Sequence, residues 1–443
     1  MVRKFDSNNV EDLLPLSHMQ SGMLMYYLKK PESDIYFEKV VLNLKGHIEE
    51  NSFVDTWNIM VKRNEMLRTA FAWEGIDNPV QIILKEHPCN IEIYGRDKAW
   101  EDIDLRVNMY DVPFKVVLHQ YEENQYKLAV CSHHILYDGW STSIILEEFI
   151  TVYRNLLEGV QIVEHSKGKY KDFIKEMLWQ NREQQRQYWS SLYSGFDFAY
   201  TEYFKSVEGD LGQKKILNHA FFLEDEEKIN RFVENKQLTF AVYLYAAWAV
   251  LIHIKTKQKD ISFGTTVSGR KLKIKHIEKI VGLFINTVPL RLTINRDEKI
   301  VDFLLRVKNI LLERDDYEST SIVDIKQDCG VSSELFDSIV VFENYPIDKE
   351  KFQEMSGFQL TVEEQRVQGE YNFIVNVAKI DRLYITISYN EYYTSTEEAV
   401  AIAEDFQWIL EMMYRVDKVG DLDLSRENGG NSLDLWEFED FDF

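Results

Sequence analysis

The sequence predicts an α/β protein built of two packed units, on three observations. Extended and helical stretches alternate along the whole chain in two successive sets. A length of 443 residues exceeds what one ordinary core organises, and 45% hydrophobic with 13% aromatic residues can fill two. No Gly- or Pro-rich linker separates the sets, so the units are expected to pack against each other.

In the first set, 37–46 is extended, 51–62 helical, and 68–73 and 80–85 extended again. Residues 126–131 alternate polar and apolar as a half-buried strand does, and a helix follows from Ser141. A long polar helical stretch, 170–193, with Trp179, Tyr188 and Trp189 interspersed, is expected to connect the sets as one element. The second set has a strand at 216–223, an apolar helix at 238–257 and strands at 261–267, 338–343, 373–377 and 383–389. An amphipathic helix closes it at 396–414.

Composition excludes several functions. A formal net charge of −23 argues against nucleic acid, whose binding rests on neutralising phosphates. The most apolar stretch, 238–254, contains Thr239 and His253 and falls short of the roughly 20 apolar residues a membrane span needs, so no membrane association is expected. Cys89, Cys131 and Cys329 are scattered and odd in number, giving neither a disulfide framework nor a CxxC pair. With no apolar secretory stretch behind Met1, a cytoplasmic location is expected.

The run Cys131-Ser132-His133-His134-Ile135-Leu136-Tyr137-Asp138-Gly139-Trp140-Ser141 holds the parts of an acyl-transfer site at a strand end. Successive strand side chains point to opposite faces, so one histidine is expected to be chemical and the other structural. Gly139 is expected to take backbone angles closed to other residues, and Ser141 to cap the following helix. An imidazole at such a junction can accept or share a proton from an incoming nucleophile. Two adjacent histidines with no third ligand nearby do not make a zinc site, so no metal is expected.

His133-His134-Ile135-Leu136-Tyr137-Asp138-Gly139 matches the HHxxxDG core of the condensation domains of nonribosomal peptide synthetases, relatives of chloramphenicol acetyltransferase, and the resemblance extends well beyond it. Leu16-Ser17-His18-Met19-Gln20-Ser21-Gly22-Met23-Leu24 is similar to their opening motif. Arg63-Asn64-Glu65-Met66-Leu67-Arg68-Thr69-Ala70-Phe71 is similar to their RHExLRTxF segment, with Asn64 in place of the usual His. Tyr170-Lys171-Asp172-Phe173 and Tyr188-Trp189 sit where their bridging helix would be. Phe263-Gly264-Thr265-Thr266-Val267-Ser268-Gly269-Arg270 resembles their floor-loop strand, and Val281-Gly282-Leu283-Phe284-Ile285-Asn286-Thr287 and Val341-Phe342-Glu343-Asn344-Tyr345-Pro346 complete the series, over about residues 12–425.

The resemblance implies two chloramphenicol acetyltransferase-like lobes packed as a V-shaped pseudo-dimer, with the active site in a tunnel between them. Lobes at 1–178 and 179–425 and a tail at 426–443 are expected. It implies amide formation between an upstream carrier-bound acyl, aminoacyl or peptidyl thioester and the amine of a downstream carrier-bound aminoacyl thioester. Both substrates would arrive on the phosphopantetheine arms of donor and acceptor carrier proteins, so no cofactor of the chain's own is implied. His134 is the candidate for the chemistry, as general base, amine-positioning group or transition-state stabiliser. Asp138 is implied to be structural, paired with an arginine, for which Arg63, Arg68 and Arg270 are candidates. His133, Gly139, Trp140 and Asn344 complete the expected support.

Other readings are weighed by the same residues. An epimerisation domain shares the histidines, but 281–287 and 342–346 are similar to the condensation versions of their motifs. Heterocyclisation domains carry aspartates instead of the histidines. A non-catalytic recruiting domain of the same fold is disfavoured by intact His133, His134, Asp138 and Gly139. Basic runs, Arg270-Lys271-Leu272-Lys273-Ile274-Lys275-His276 with Lys279, and Lys29-Lys30, are candidates for contact with acidic carriers, or solvated loops. In the tail, Gly429-Gly430-Asn431-Ser432-Leu433 copies a carrier's GGxSL core without the helix that must follow it. Asp434-Leu435-Trp436-Glu437-Phe438-Glu439-Asp440-Phe441-Asp442-Phe443 cannot build a core and resembles a subunit-docking segment.

Overall fold

The computed structural model describes residues 6–162, 167–196, 216–331, 334–343, 358–366, 371–379 and 383–424. The first half runs β1 (Val10–Pro15), α1 (His18–Lys29), β2 (Phe37–Gly46), α2 (Glu50–Arg63), β3 (Thr69–Ala72), β4 (Val80–Leu84), β5 (Ile91–Tyr94), β6 (Phe114–Glu122), β7 (Gln125–His133), α3 (Gly139–Leu157) and α4 (Tyr170–Leu178). Local chemistry sets many of these limits. Ser17 and Gln20 form a reciprocal capping box at the start of α1. The Glu49 carboxylate caps α2 by accepting from the Asn51 and Ser52 amides. Asn124, in the left-handed region at φ 56°, turns β6 back into β7.

The second half runs α5 (Arg182–Leu192), β8 (Ile216–Phe222), α6 (Glu226–Asn235), α7 (Phe240–Thr256), β9 (Asp260–Val267), β10 (Asn286–Thr293), α8 (Ile300–Arg314), α9 (Ile322–Cys329), β11 (Ser338–Glu343), β12 (Phe358–Arg366), β13 (Phe373–Lys379), β14 (Leu383–Asn390) and α10 (Thr396–Met412). The expected single helix over 170–193 is two. α4 ends at Leu178, and the Asn181 side chain accepts from the Gln184 amide to start α5. The break lets the chain change cores: Tyr170, Phe173 and Ile174 of α4 pack in the first, whereas Trp189 of α5 packs with Val288, Phe336 and Ile339 of the second half.

Among the described residues, three sheets organise the elements, in the orders β1-β4-β3, β12-β2-β7-β6-β5 and β10-β9-β11-β13-β14-β8. β12 comes from the second half, yet it pairs antiparallel with β2, Leu360 opposite Leu44, and so closes the edge of the sheet that carries the histidines. Residues 277–284 also cross over, placing Ile277, Ile280, Val281, Leu283 and Phe284 in the first core. That core centres on Trp57 stacked on Phe149, ring centroids 4.8 Å apart. The second centres on α7, whose Trp248 stacks on Phe373 at 5.7 Å and meets Phe406 edge-on at 5.1 Å. α7 is apolar all round because Val242 through His253 are buried on every side. Among the described residues no single helix is long and apolar enough to cross a membrane.

Candidate active site

β7 ends at His133 because the chain must turn there to enter α3. His134 still holds the sheet edge, its N–H donating to the Tyr36 carbonyl at 2.7 Å, and Asp138 starts the helix. The helix cap is Asp138 and not Ser141: Asp138 Oδ1 accepts the Ser141 amide at 3.0 Å, and the helix begins at Gly139. Both residue types cap well, and a carboxylate at this point also answers the positive helix terminus. Gly139 does not use positive φ, contrary to expectation; as the first helical residue it lines the central cavity without a side chain.

The two histidines lie in opposite surroundings. His133 is fully buried, its ring 5.1 Å from Phe37, 6.2 Å from Tyr36 and 6.3 Å from Tyr27. Its Nδ1 accepts the Ile135 amide at 3.1 Å, so the proton sits on Nε2, which has no hydrogen-bond partner among the described residues. Burial, and after it the neighbouring His134, pushes its pKa down to about 3.

His134 lines a cavity of about 610 Å³ whose opposite wall comes from the second half, including Thr266, Ser268, Ile339 and Asn376. Its Nδ1 turns inward, donating to the Tyr137 carbonyl at 2.7 Å and lying 3.0 Å from Glu38 Oε1, which leaves Nε2 for the cavity. Burial lowers its pKa, but the Glu38 carboxylate, helped by the Tyr137 carbonyl and Asp138, outweighs that and raises it to about 9. A second cavity of about 410 Å³, lined by Ser17, His18 and Phe173, shares Met19, Lys271, Ile285, Asp315 and Glu318 with the first, so the two adjoin.

Asp138 is fully buried and locks the halves together. Its Oδ1 also accepts from the Ser141 hydroxyl at 2.8 Å and from Arg270 at 3.1 Å, and its Oδ2 accepts the Phe284 amide at 3.0 Å. Arg270 donates further to the Ile277 and Ile280 carbonyls at 2.6 and 3.0 Å, and lies 4.1 Å from the Phe284 ring and 5.5 Å from Trp140. Two glycines permit this crowding. A Cβ on Gly269, at φ +63°, would sit 2.0 Å from the Phe284 carbonyl oxygen, and one on Gly282 would sit 2.4 Å from the Tyr170 ring. Trp140 anchors across the same seam, its Nε1 donating to the Glu278 carbonyl at 3.1 Å, and it lines the main cavity.

Of the three candidate arginines only Arg270 meets Asp138. Arg68 is tied to Glu11 at 2.8 Å and to the Leu84 carbonyl, clasping β1 and β4. Arg63 ends α2, where its charge acts on Lys167. Asn64 joins that outer network: its Nδ2 donates to the Met60 carbonyl and to Glu148, and its Oδ1 accepts from Lys167. Asn344, the GGxSL run and the tail Asp434 to Phe443 lie outside the described residues. Among the described residues no group of three or more His, Cys, Asp and Glu could hold a metal ion.

Sequence reasoning missed Glu38. Its signal was an acid inside the apolar strand 37–46; its meaning came from the pairing of β2 with β7, which sets Glu38 opposite Ser132. It also missed Gln20, whose side chain donates to the Ile135 carbonyl at 3.1 Å and braces the histidine turn from below.

The architecture places the chain among the two-lobed chloramphenicol acetyltransferase-like folds. It superposes on a four-domain nonribosomal peptide synthetase with a TM-score of 0.80 at 16% identity, covering 96% of this chain and 35% of that one. On the starter condensation domain of the rhizomide synthetase the TM-score is 0.77 at 17% identity, over 94% of this chain and all of that one. The family described as Condensation domain matches residues 10–422, and the chain belongs to it. Among relatives, it is 28% identical to bacitracin synthase 3 of Bacillus licheniformis over 99% of its length, which is 7% of that protein. It is 28% identical to surfactin synthase subunit 3 of Bacillus subtilis, covering 88% of this chain and 32% of the relative. The chain thus spans a third or less of the length of these two relatives.

Proposed function

We propose that the chain forms an amide bond between two carrier-borne substrates, with His134 as the group at the reacting centre. The neutral amine of the downstream aminoacyl thioester attacks the upstream thioester carbonyl. The carbonyl oxygen takes the charge, the C–S bond breaks, and the proton lost by nitrogen ends on the departing sulfur. The observation that carries this reading is the placement of His134: a single imidazole with one nitrogen tied back and the other toward a cavity walled by both halves. Holding two reactants in one cavity removes much of the entropic barrier, and a positioned acid–base group typically adds about 10²- to 10⁴-fold.

On this reading Asp138, Arg270 and His133 hold the site in place, and Gly139 and Trp140 shape the channel that the substrates enter. No cofactor of the chain's own is required, since both substrates enter on phosphopantetheine arms of donor and acceptor carriers. The lobe division falls at 178/179, supported by the change of core between α4 and α5. The free thiols Cys89, Cys131 and Cys329 suit the reducing cytoplasm, and the alternating acids and aromatics of Asp434 to Phe443 suit docking to a partner subunit.

The test uses donor and acceptor carriers loaded with their thioesters, and mass spectrometry of the amide. The chain should accelerate product formation, and His134→Ala should lose about 10²- to 10⁴-fold of that rate. Full activity in His134→Ala would refute the assignment, and an inactive wild type would indicate a recruiting role.

A further inference from the structure

We propose that Glu38 is a positioning residue for His134, clamping Nδ1–H so that the ring enters the reaction as an imidazolium whose Nε2–H stabilises the developing oxyanion. This rests on the amide-forming reading above and specifies what His134 does in it. The Tyr137 carbonyl alone would fix the ring's orientation without supplying a counter-charge. A second acceptor on the same nitrogen, this one a buried carboxylate at 3.0 Å, adds the charge that makes the protonated ring the stable form. An imidazolium cannot accept a proton from the amine, but its Nε2–H can meet the negative oxygen of the tetrahedral intermediate, the role of an oxyanion-hole donor. When the intermediate collapses, the C–S bond breaks and the nitrogen's proton passes to sulfur, so the ring is unchanged at the end of the cycle.

The backbone is arranged for this contact. Tyr36, immediately before β2, sits in the left-handed region at φ 69°, uncommon for a non-glycine residue, and its carbonyl takes the His134 amide at 2.7 Å. That turn brings the start of β2 alongside the end of β7, putting Glu38 behind the ring.

The other charges facing His134 do not replace Glu38. His133 is buried and neutral, Tyr137 offers a carbonyl, and the Asp138 carboxylate, which also favours the charged ring but less than Glu38 does, is engaged by Arg270, Ser141 and the Phe284 amide. Lys39, the next residue of β2, lines the same cavity. On the far wall Lys271 pairs with Asp315 at 2.7 Å and approaches Glu318 at 3.6 Å, closing those charges on themselves.

The test is Glu38→Gln, which keeps shape and removes charge. In protein with isotopically labelled histidine, the His134 ring, assigned by its loss in His134→Asn, should titrate near pH 9 in the wild type. In Glu38→Gln its midpoint should fall by about 2 units or more. The rate of amide formation should fall about 10-fold or more at about pH 8, with the profile shifted to lower pH and carrier KM unchanged; this follows the lost imidazolium fraction. A His134 midpoint or a pH–rate profile unchanged in Glu38→Gln would overturn the proposal. If Glu38→Gln does not fold, Glu38→Asp, which withdraws the same charge by one methylene, is read in the same titration: a lowered midpoint supports the proposal and an unchanged one overturns it. The titration needs no amide assay, so an inactive wild type would refute the proposed function while the pairing of Glu38 with His134 is still decided.

Discussion

Behind the end of β7 lies a dry box of aromatic rings; in front of it lies a cavity bordered by a carboxylate. The residues facing the two regions, His133 and His134, are neighbours of identical chemistry. Behind, nothing compensates a charge, so burial keeps His133 neutral with a pKa pushed to about 3. In front, Glu38 overcomes the same burial and lifts His134 to about 9. The contrast teaches that a histidine's chemistry here is set less by depth than by whether depth comes with a partner.

The residues that hold the site in place should answer to mutation in stability. The largest effect is expected from Asp138→Ala, which leaves the Arg270 guanidinium buried against a missing partner at the seam between lobes. A loss of about 3–5 kcal/mol, read from denaturant midpoints, is predicted, and a variant that is stable but inactive would make Asp138 a direct catalyst. His133→Ala, which empties the ring-lined box, should cost about 2–4 kcal/mol in the same measurement. Arg68→Ala should cost about 1.5–3 kcal/mol by releasing Glu11 and the Leu84 carbonyl, with the rate per folded molecule unchanged; a rate loss would draw Arg68 into the site.

The two histidines also predict opposed pH dependences. In the unfolded chain each titrates near about 6.5. As pH falls from there toward about 3, the unfolded state takes a proton that buried His133 refuses, so stability drops with a slope approaching about 1.4 kcal/mol per pH unit. As pH rises from about 6.5 through about 9, the stability that His134 gains by holding its proton is lost. Melting temperatures across this range should peak between the two limbs. His133→Asn, which keeps an acceptor for the Ile135 amide but does not titrate, should flatten the acid limb only.

What the sequence made legible was local. The alternation of 126–131 and the spacing from His134 to Asp138 placed a histidine at a strand-to-helix turn, because turn and cap chemistry act over a few residues. What it hid was long-range or ambiguous. Arg63, Arg68 and Arg270 were equivalent on paper until folding brought Arg270 and Gly282 against Asp138. Glu38 acquires its role only through the register of β2 on β7, and β12 joins the first sheet from the other half of the chain. Ser141 and Asp138 are both good caps, and packing chose between them. The break between α4 and α5 was masked because polar periodicity continues through Trp179 to Asn181, although Asn181 is itself a capping residue.

The central claim is that one strand end carries a structural and a chemical histidine side by side. Single-turnover amide formation from loaded carriers, normalised to folded protein, tests it most directly in His133→Asn and His134→Asn measured together. The account predicts a near-normal rate for folded His133→Asn and a loss of about 10²- to 10⁴-fold for folded His134→Asn. Equal rates in the two variants, or the larger loss in His133→Asn, would contradict it.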